Sequence, residues 1–148
     1  MEKKKSPIIL GCDHAAYLLK ERVKQHLMER EYEVVDIGAY NEESVNYTDF
    51  GMAVAGKVSR GEYERGILLC GTGLGMSMVA NRFPHVRAAL CSDVFSTAMS
   101  RKHNDSNILV LGGRVIGDAL AMVLVDTWLD TPFEGGRHQE RLDKFDKI

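Results

Sequence analysis

Five short apolar runs alternate with longer segments of helical periodicity, and this alternation constrains the fold more than any other feature of the chain. Pro7 to Cys12, Glu33 to Ile37, Arg65 to Cys70, Val86 to Cys91 and Ile108 to Leu111 each have the length and composition of a buried strand. After the first run, Ala16, Leu19, Val23 and Leu27 recur at spacings of three and four, which predicts an amphipathic helix from about Ala15 to Arg30. A polar loop from Tyr40 to Thr48 leads to a helix from about Asp49 to Ser59, stopped by Gly61. Further helices are expected from the glycine-rich segment Gly71–Gly75 to about Arg82, from Ser92-Asp93 to Lys102, from Ile116 to Leu129, and over the tail from Arg137. Five βα units in a row predict an α/β fold, a three-layer α/β/α Rossmann-like sandwich around a five-stranded parallel sheet. The 148 residues make one domain, 1–148, with no internal repeat, low-complexity segment or linker.

Composition narrows the function classes. Nineteen basic and twenty-one acidic residues give a net charge of −2, which argues against binding nucleic acid by bulk electrostatics. Three cysteines cannot all pair, so a reducing compartment is expected. The longest apolar run, Ala119 to Val125, falls far short of the roughly 20 residues of a membrane span. Pro7-Ile8-Ile9-Leu10 is too short for a secretory core. A cytoplasmic protein without membrane or nucleic-acid partners is the expectation.

Parallel sheets bind ligands beyond the carboxyl ends of their strands, so those ends carry the functional argument. The first ends in Gly11-Cys12-Asp13-His14. Asp13 reads as a group that handles protons or phosphate or, alternatively, as a cap for the next helix, and the two are compatible. The third ends in Cys70-Gly71-Thr72-Gly73-Leu74-Gly75. Three glycines in five residues let the backbone approach a ligand and present N–H groups to an anion, with a helix start adding to the site. Those donors would favour a Cys70 thiolate; the bland alternative is a tight turn with an inert thiol. A dinucleotide fingerprint needs glycine where Met76 stands, and a phosphate loop needs a Gly-Lys-Ser/Thr that is absent.

Two further segments are polar enough to serve a site. Arg101-Lys102-His103-Asn104-Asp105 holds a histidine suited to proton transfer and an amide suited to a hydroxyl, although a polar helix end explains it as well. Arg137 and Arg141 stand four apart after Gly135-Gly136, on one helical face that either grips a phosphate or faces solvent. Cys91 reads as core, Cys12 as either core or site, His26 and His85 as surface, and Met76, Met78, Met99 and Met122 as core filling. No Cys-x-x-Cys pair or His-Glu-x-x-His helix specifies a metal site.

These motifs, with Glu134-Gly135-Gly136-Arg137-His138, resemble the type B ribose-5-phosphate isomerase family, which includes allose- and galactose-6-phosphate isomerases. The resemblance runs from Ile8 to Arg141. It implies a metal-independent, cofactor-free aldose–ketose isomerase of the pentose phosphate pathway, converting D-ribose 5-phosphate to D-ribulose 5-phosphate through an enediolate. It implies Cys70 as the base, backbone groups of Gly71, Thr72, Gly73, Leu74 and Gly75 as the enediolate cradle, and Thr72 as an aid to proton movement. It further implies His103 as the ring-opening acid/base, Asp13, Asn104 and Tyr47 on the sugar, and His14, Arg137 and Arg141 on the phosphate. A homodimer, or a homotetramer made of two such dimers, with sites lined by two subunits is implied too. Relatives read Asp-Tyr-Pro where this chain has Asn46-Tyr47-Thr48, so a looser loop and an altered sugar preference are expected there. The competing readings are a six-carbon 6-phosphate as substrate, a non-catalytic sugar-phosphate or nucleotide sensor, and a dinucleotide-binding module. An intact Cys70 and His103 weigh against a sensor, which needs neither.

Overall fold

The computed structural model describes residues 3–148. Strands β1 (Ile8–Cys12), β2 (Val34–Asp36), β3 (Arg65–Cys70), β4 (Ala88–Leu90) and β5 (Ile108–Gly112) form one parallel sheet in the order β2-β1-β3-β5-β4. The helices are α1 (Tyr17–Glu29), α2 (Tyr47–Ser59), α3 (Leu74–Ala80), α4 (Val94–Lys102), α5 (Asp118–Asp130) and α6 (Arg137–Phe145). The three-layer sandwich expected from the alternation is present.

Strand side chains alternate between two cores, as the pleat requires. Ile8, Leu10, Ile67, Leu69, Leu109 and Leu111 face α1 and α5, where Trp128 is fully buried. Ile9, Leu68, Cys70, Ile108 and Val110 face α2 and α3, against Val54 and Met76. Both sheet faces are covered, so the central strands read as unbroken apolar runs.

Several elements depart from the expectation for local reasons. Helix α2 starts at Tyr47, two residues early, because Asn46 caps it: its Oδ1 accepts from the Thr48 N–H at 3.0 Å. A proline at 48 would lack that donor, so Asn46 and Thr48 together provide a tether of their own. Strand β4, expected over Val86–Cys91, is only three residues long at the sheet edge. Met76 is buried as expected, but Met78 is 67% exposed, because its place on the short helix α3 faces away from the sheet. His26 is no free surface residue; it is half-buried and its Nε2 lies 2.7 Å from Asp126.

A buried ion pair braces the first strand end. Lys20 is fully buried and donates to Asp36 at 2.7 Å, flanked by the rings of Tyr17 and Tyr40. Burial alone would raise the Asp36 carboxyl, but Lys20, the Gly38 N–H and Lys24 hold it below the ordinary carboxylate value. Desolvation likewise opposes the Lys20 charge, yet Asp36 and Glu21 keep its pKa above the ordinary value.

Candidate active site

Strand order reverses between β1 and β3: the chain leaves β1 for β2 on one side and reaches β3 on the other. In doubly wound sheets this is where a crevice opens. A cleft of about 370 Å³ lies there, lined by Asp13, His14, Ala15, Tyr47, Cys70, Gly71, Thr72, Gly75 and Arg114.

Each lining group is fixed locally. Asp13 caps not α1 itself but the 3-10 turn His14–Ala16 that leads into it: its Oδ1 accepts from the N–H groups of Ala15 and Ala16 at 3.0 and 3.3 Å, and the side chain also faces the cleft. His14 Nδ1 accepts from the Val45 N–H at 3.1 Å, which leaves Nε2 to carry the proton in the neutral ring. Cys70 ends β3, and the Gly73 N–H donates to its Sγ at 3.2 Å. Gly73 needs its left-handed backbone, φ +83°, to aim that N–H. Thr72 Oγ1 accepts from the Leu74 N–H at 3.2 Å. A β-carbon on Gly75 would sit 2.5 Å from Tyr47 Cζ, so glycine there is what allows the ring to lie against the loop.

The turn after β5 buttresses this loop. Gly113 N–H donates to the Cys70 carbonyl at 2.8 Å, and Arg114 N–H to the Gly71 carbonyl at 2.9 Å. That turn brings Arg114 into the cleft, where it is the one lining guanidinium. The sequence reading passed over Arg114. The signal was available: it follows the end of a strand, Leu111-Gly112-Gly113, by the same logic that singled out Asp13 and Cys70.

The other two cysteines do not line the cleft. Burial, opposed mainly by Lys20, raises the Cys12 thiol to about 12, and burial also raises Cys91. Both belong to the core.

His103, Asn104, Arg137 and Arg141 do not line this cleft. They gather at the opposite edge of the sheet, across about 16 Å of strand. Helix α4 starts beyond the carboxyl end of β4 and runs back, so His103 at its C-cap reaches the amino-terminal edge. Asp105 there accepts through its carbonyl from Arg87 Nε at 2.9 Å, next to the start of β4. Arg101 pins the turn with bonds to Asp105 at 2.8 Å, the Ser106 carbonyl at 2.6 Å and the Thr131 carbonyl at 3.2 Å. The Glu134 N–H donates to the Lys102 carbonyl at 3.1 Å, which seats the tail against this edge. His103 and His138 stack, with ring centroids 4.3 Å apart. Desolvation, with the nearby charges of His103 and Arg137, lowers the His138 imidazole below its ordinary value. Arg137 and Arg141 are exposed on α6.

Among the described residues no helix is long and apolar enough to cross a membrane. The model of the family described as Ribose/Galactose Isomerase matches residues 8–145. The chain is 45% identical over 141 residues to Ribose-5-phosphate isomerase B of Escherichia coli (strain K12), covering 95% of both. It superposes on the structure of Ribose-5-Phosphate Isomerase B from Clostridium thermocellum with a TM-score of 0.94 at 51% identity, over 96% of each chain. It matches Ribose-5-phosphate Isomerase B from Mycoplasma genitalium with bound ribulose-5-phosphate at a TM-score of 0.91 and 38% identity, over 95% of this chain and 94% of that one. The match to the family model spans nearly the whole chain and relatives align end to end with it, so the chain belongs to the Ribose/Galactose Isomerase family.

Proposed function

We propose that this chain interconverts D-ribose 5-phosphate and D-ribulose 5-phosphate by moving a proton between C2 and C1. The observation that carries the reading is the Cys70 sulfur, which receives the Gly73 N–H in the cleft shared with Asp13, His14 and Tyr47. A thiolate there removes the C2 proton of the open-chain aldose. The electron pair moves to form the C1–C2 double bond, and the C1 carbonyl oxygen takes up charge as the enediolate. Loop N–H groups between Gly71 and Gly75 stabilise that oxygen, each such donor being worth about 3 kcal/mol. Thr72 assists proton movement between the two oxygens, and the Cys70 thiol returns its proton to C1 to give the ketose. His103 opens the furanose, Asp13 and Asn104 hold hydroxyls, and His14, Arg137 and Arg141 hold the phosphate. Arg114, which the cleft geometry adds to this set, supplies a further cation.

Cys70 and His103 stand at opposite edges of one sheet, so a single chain does not complete this site. We infer that a second copy supplies His103, Asn104, Arg137 and Arg141. The rim of the cleft suits a partner: Leu74, Phe95 and Val115 are 52, 73 and 60% exposed around the carboxyl ends of the strands. Binding the phosphate far from the reacting carbons fixes C1 and C2 against the sulfur.

The substrate assignment is tested by comparing kcat/KM for ribose 5-phosphate, allose 6-phosphate and galactose 6-phosphate. Ribose 5-phosphate is expected to lead; a preference for a six-carbon sugar moves the assignment within the family, and no turnover of any of them removes it. Arg137→Ala and Arg141→Ala are each expected to weaken competitive inhibition by inorganic phosphate roughly ten- to hundredfold, the worth of a charge-assisted bond. Unchanged inhibition constants take the arginines out of the site. His103→Ala is expected to slow turnover of a furanose-forming sugar more than that of a shorter phosphosugar that cannot close its ring. Equal losses on both contradict the ring-opening role.

A further inference from the structure

At the edge of the sheet away from the Cys70 cleft, three metal-ligating side chains converge from two elements. His103 comes from the end of α4, and Glu134 and His138 from either side of the Gly135-Gly136 turn. Positive φ at both glycines, +68° and +58°, turns the chain back so that Glu134 and His138 meet. Glu134 Oε1 lies 3.6 Å from His103 Nε2 and 3.9 Å from His138 Nε2, and the three ligating atoms all fall within 4.8 Å of one another. These separations are too long for hydrogen bonds. They are close to the spacing of donors that surround a zinc ion at about 2.0–2.2 Å each.

We propose that His103, Glu134 and His138 form a binding site for a borderline transition-metal dication of the zinc type. Two imidazoles and one carboxylate select such an ion over magnesium or calcium, which prefer all-oxygen shells. Both Nε2 atoms lie within 4 Å of the same carboxylate, and the His138 side chain is only 8% exposed; the rings, stacked at an interplanar angle of 13°, tilt apart on binding so that both in-plane lone pairs reach one ion. Arg137 and Arg141 on the same helix oppose a bare dication, and so favour an ion whose open position carries an anion. The bound ion occupies the lone pair of His103. Resting on the ring-opening role proposed for His103, the site makes the isomerase subject to inhibition by zinc, reversed by a chelator.

Chelator-treated full-length protein carrying Cys70→Ala, so that the cleft thiol cannot compete, is titrated calorimetrically with Zn²⁺. One ion per chain is expected to bind, and adding Glu134→Gln or His138→Ala is expected to weaken it tenfold or more, roughly what loss of even an outer-shell partner costs a metal site. Glu134 is exposed, so its substitution leaves the fold intact. No saturable binding, or binding indifferent to both substitutions, overturns the site. With the intact enzyme, Zn²⁺ is expected to inhibit turnover of ribose 5-phosphate, and Glu134→Gln to raise the inhibitory concentration by the same factor. Site-specific binding without inhibition sustains the metal site and overturns the role given to His103.

Discussion

Replacing Cys70 with alanine is expected to lower kcat by about 10² to 10⁴, the usual contribution of a positioned base, while leaving thermal unfolding nearly unchanged. The side chain lost is small, and the loop that surrounds it keeps its anchors at Gly113 and Arg114. Among the groups lining the cleft, Asp13 already gives its Oδ1 to two backbone N–H groups, and His14 Nδ1 is engaged by Val45. Those bonds hold both side chains in place through one atom each, which leaves Asp13 Oδ2 and His14 Nε2 as the atoms that would have to serve in place of the thiolate. Alkylation near neutral pH should follow the same geometry: iodoacetamide should label Cys70 ahead of Cys12 and Cys91, whose thiols burial pushes up, and bound phosphosugar should slow the labelling. Near-wild-type turnover by Cys70→Ala would overturn the thiolate mechanism and make Asp13 the first candidate for the base.

The largest effect on stability is expected at Lys20, a residue far from the chemistry. Lys20→Met is similar in length but removes the ammonium that Asp36 faces at 2.7 Å. Breaking a buried pair from one side costs about 3–5 kcal/mol, and Lys24, at 3.2 Å from Asp36, holds the loss toward the lower figure. For a domain of this size that is a drop in Tm of roughly 10 °C. The pair also acts on the site through the backbone. Asp36 accepts from the Gly38 N–H, and residues 38 and 39 exchange hydrogen bonds of 2.7 and 2.9 Å with Cys12, next to Asp13. The pH dependence has a definite sign. Because Asp36 titrates lower in the folded chain than in the unfolded one, its contribution is fully present above the ordinary carboxylate range, near 4, and disappears as pH falls through the lower folded value. Tm measured from pH 3 to 7 should therefore fall more steeply at the acid end in wild type than in Lys20→Met. Parallel curves contradict the linkage.

Much of the architecture was legible because the signals were local. Strand-length apolar runs marked the five strands, a 3.6-residue stripe marked α1, and the glycine cluster after β3 marked the cleft. The first-strand Asp13-His14 pair was legible for the same reason, since parallel sheets place ligands at strand ends. What escaped was either a fine local detail or a contact distant in sequence. The early start of α2 came from a two-residue cap at Asn46, and the short β4 from its place at the sheet edge. Lys20 lies on the apolar side of α1, where a charge is unexpected until Asp36, sixteen residues later, folds over it. The convergence of His103 with Glu134 and His138 spans more than thirty residues and follows no helical ligand pattern. Arg114 was missed through attention to the conspicuous glycines at Gly71–Gly75 rather than to the quieter Gly112-Gly113.

The division of the site between two copies is tested most directly by mixing two damaged enzymes. Cys70→Ala lacks the cleft base, and His103→Ala lacks the acid/base at the far edge of the sheet. After subunit exchange, about half of the dimers are mixed, and each mixed dimer holds one undamaged site and one doubly damaged site. Recovery of about a quarter of wild-type specific activity on ribose 5-phosphate is the expected result. A mixture that stays as inactive as its components, while native mass spectrometry shows the mixed dimer present, would contradict a site built from Cys70 of one copy and His103 of the other.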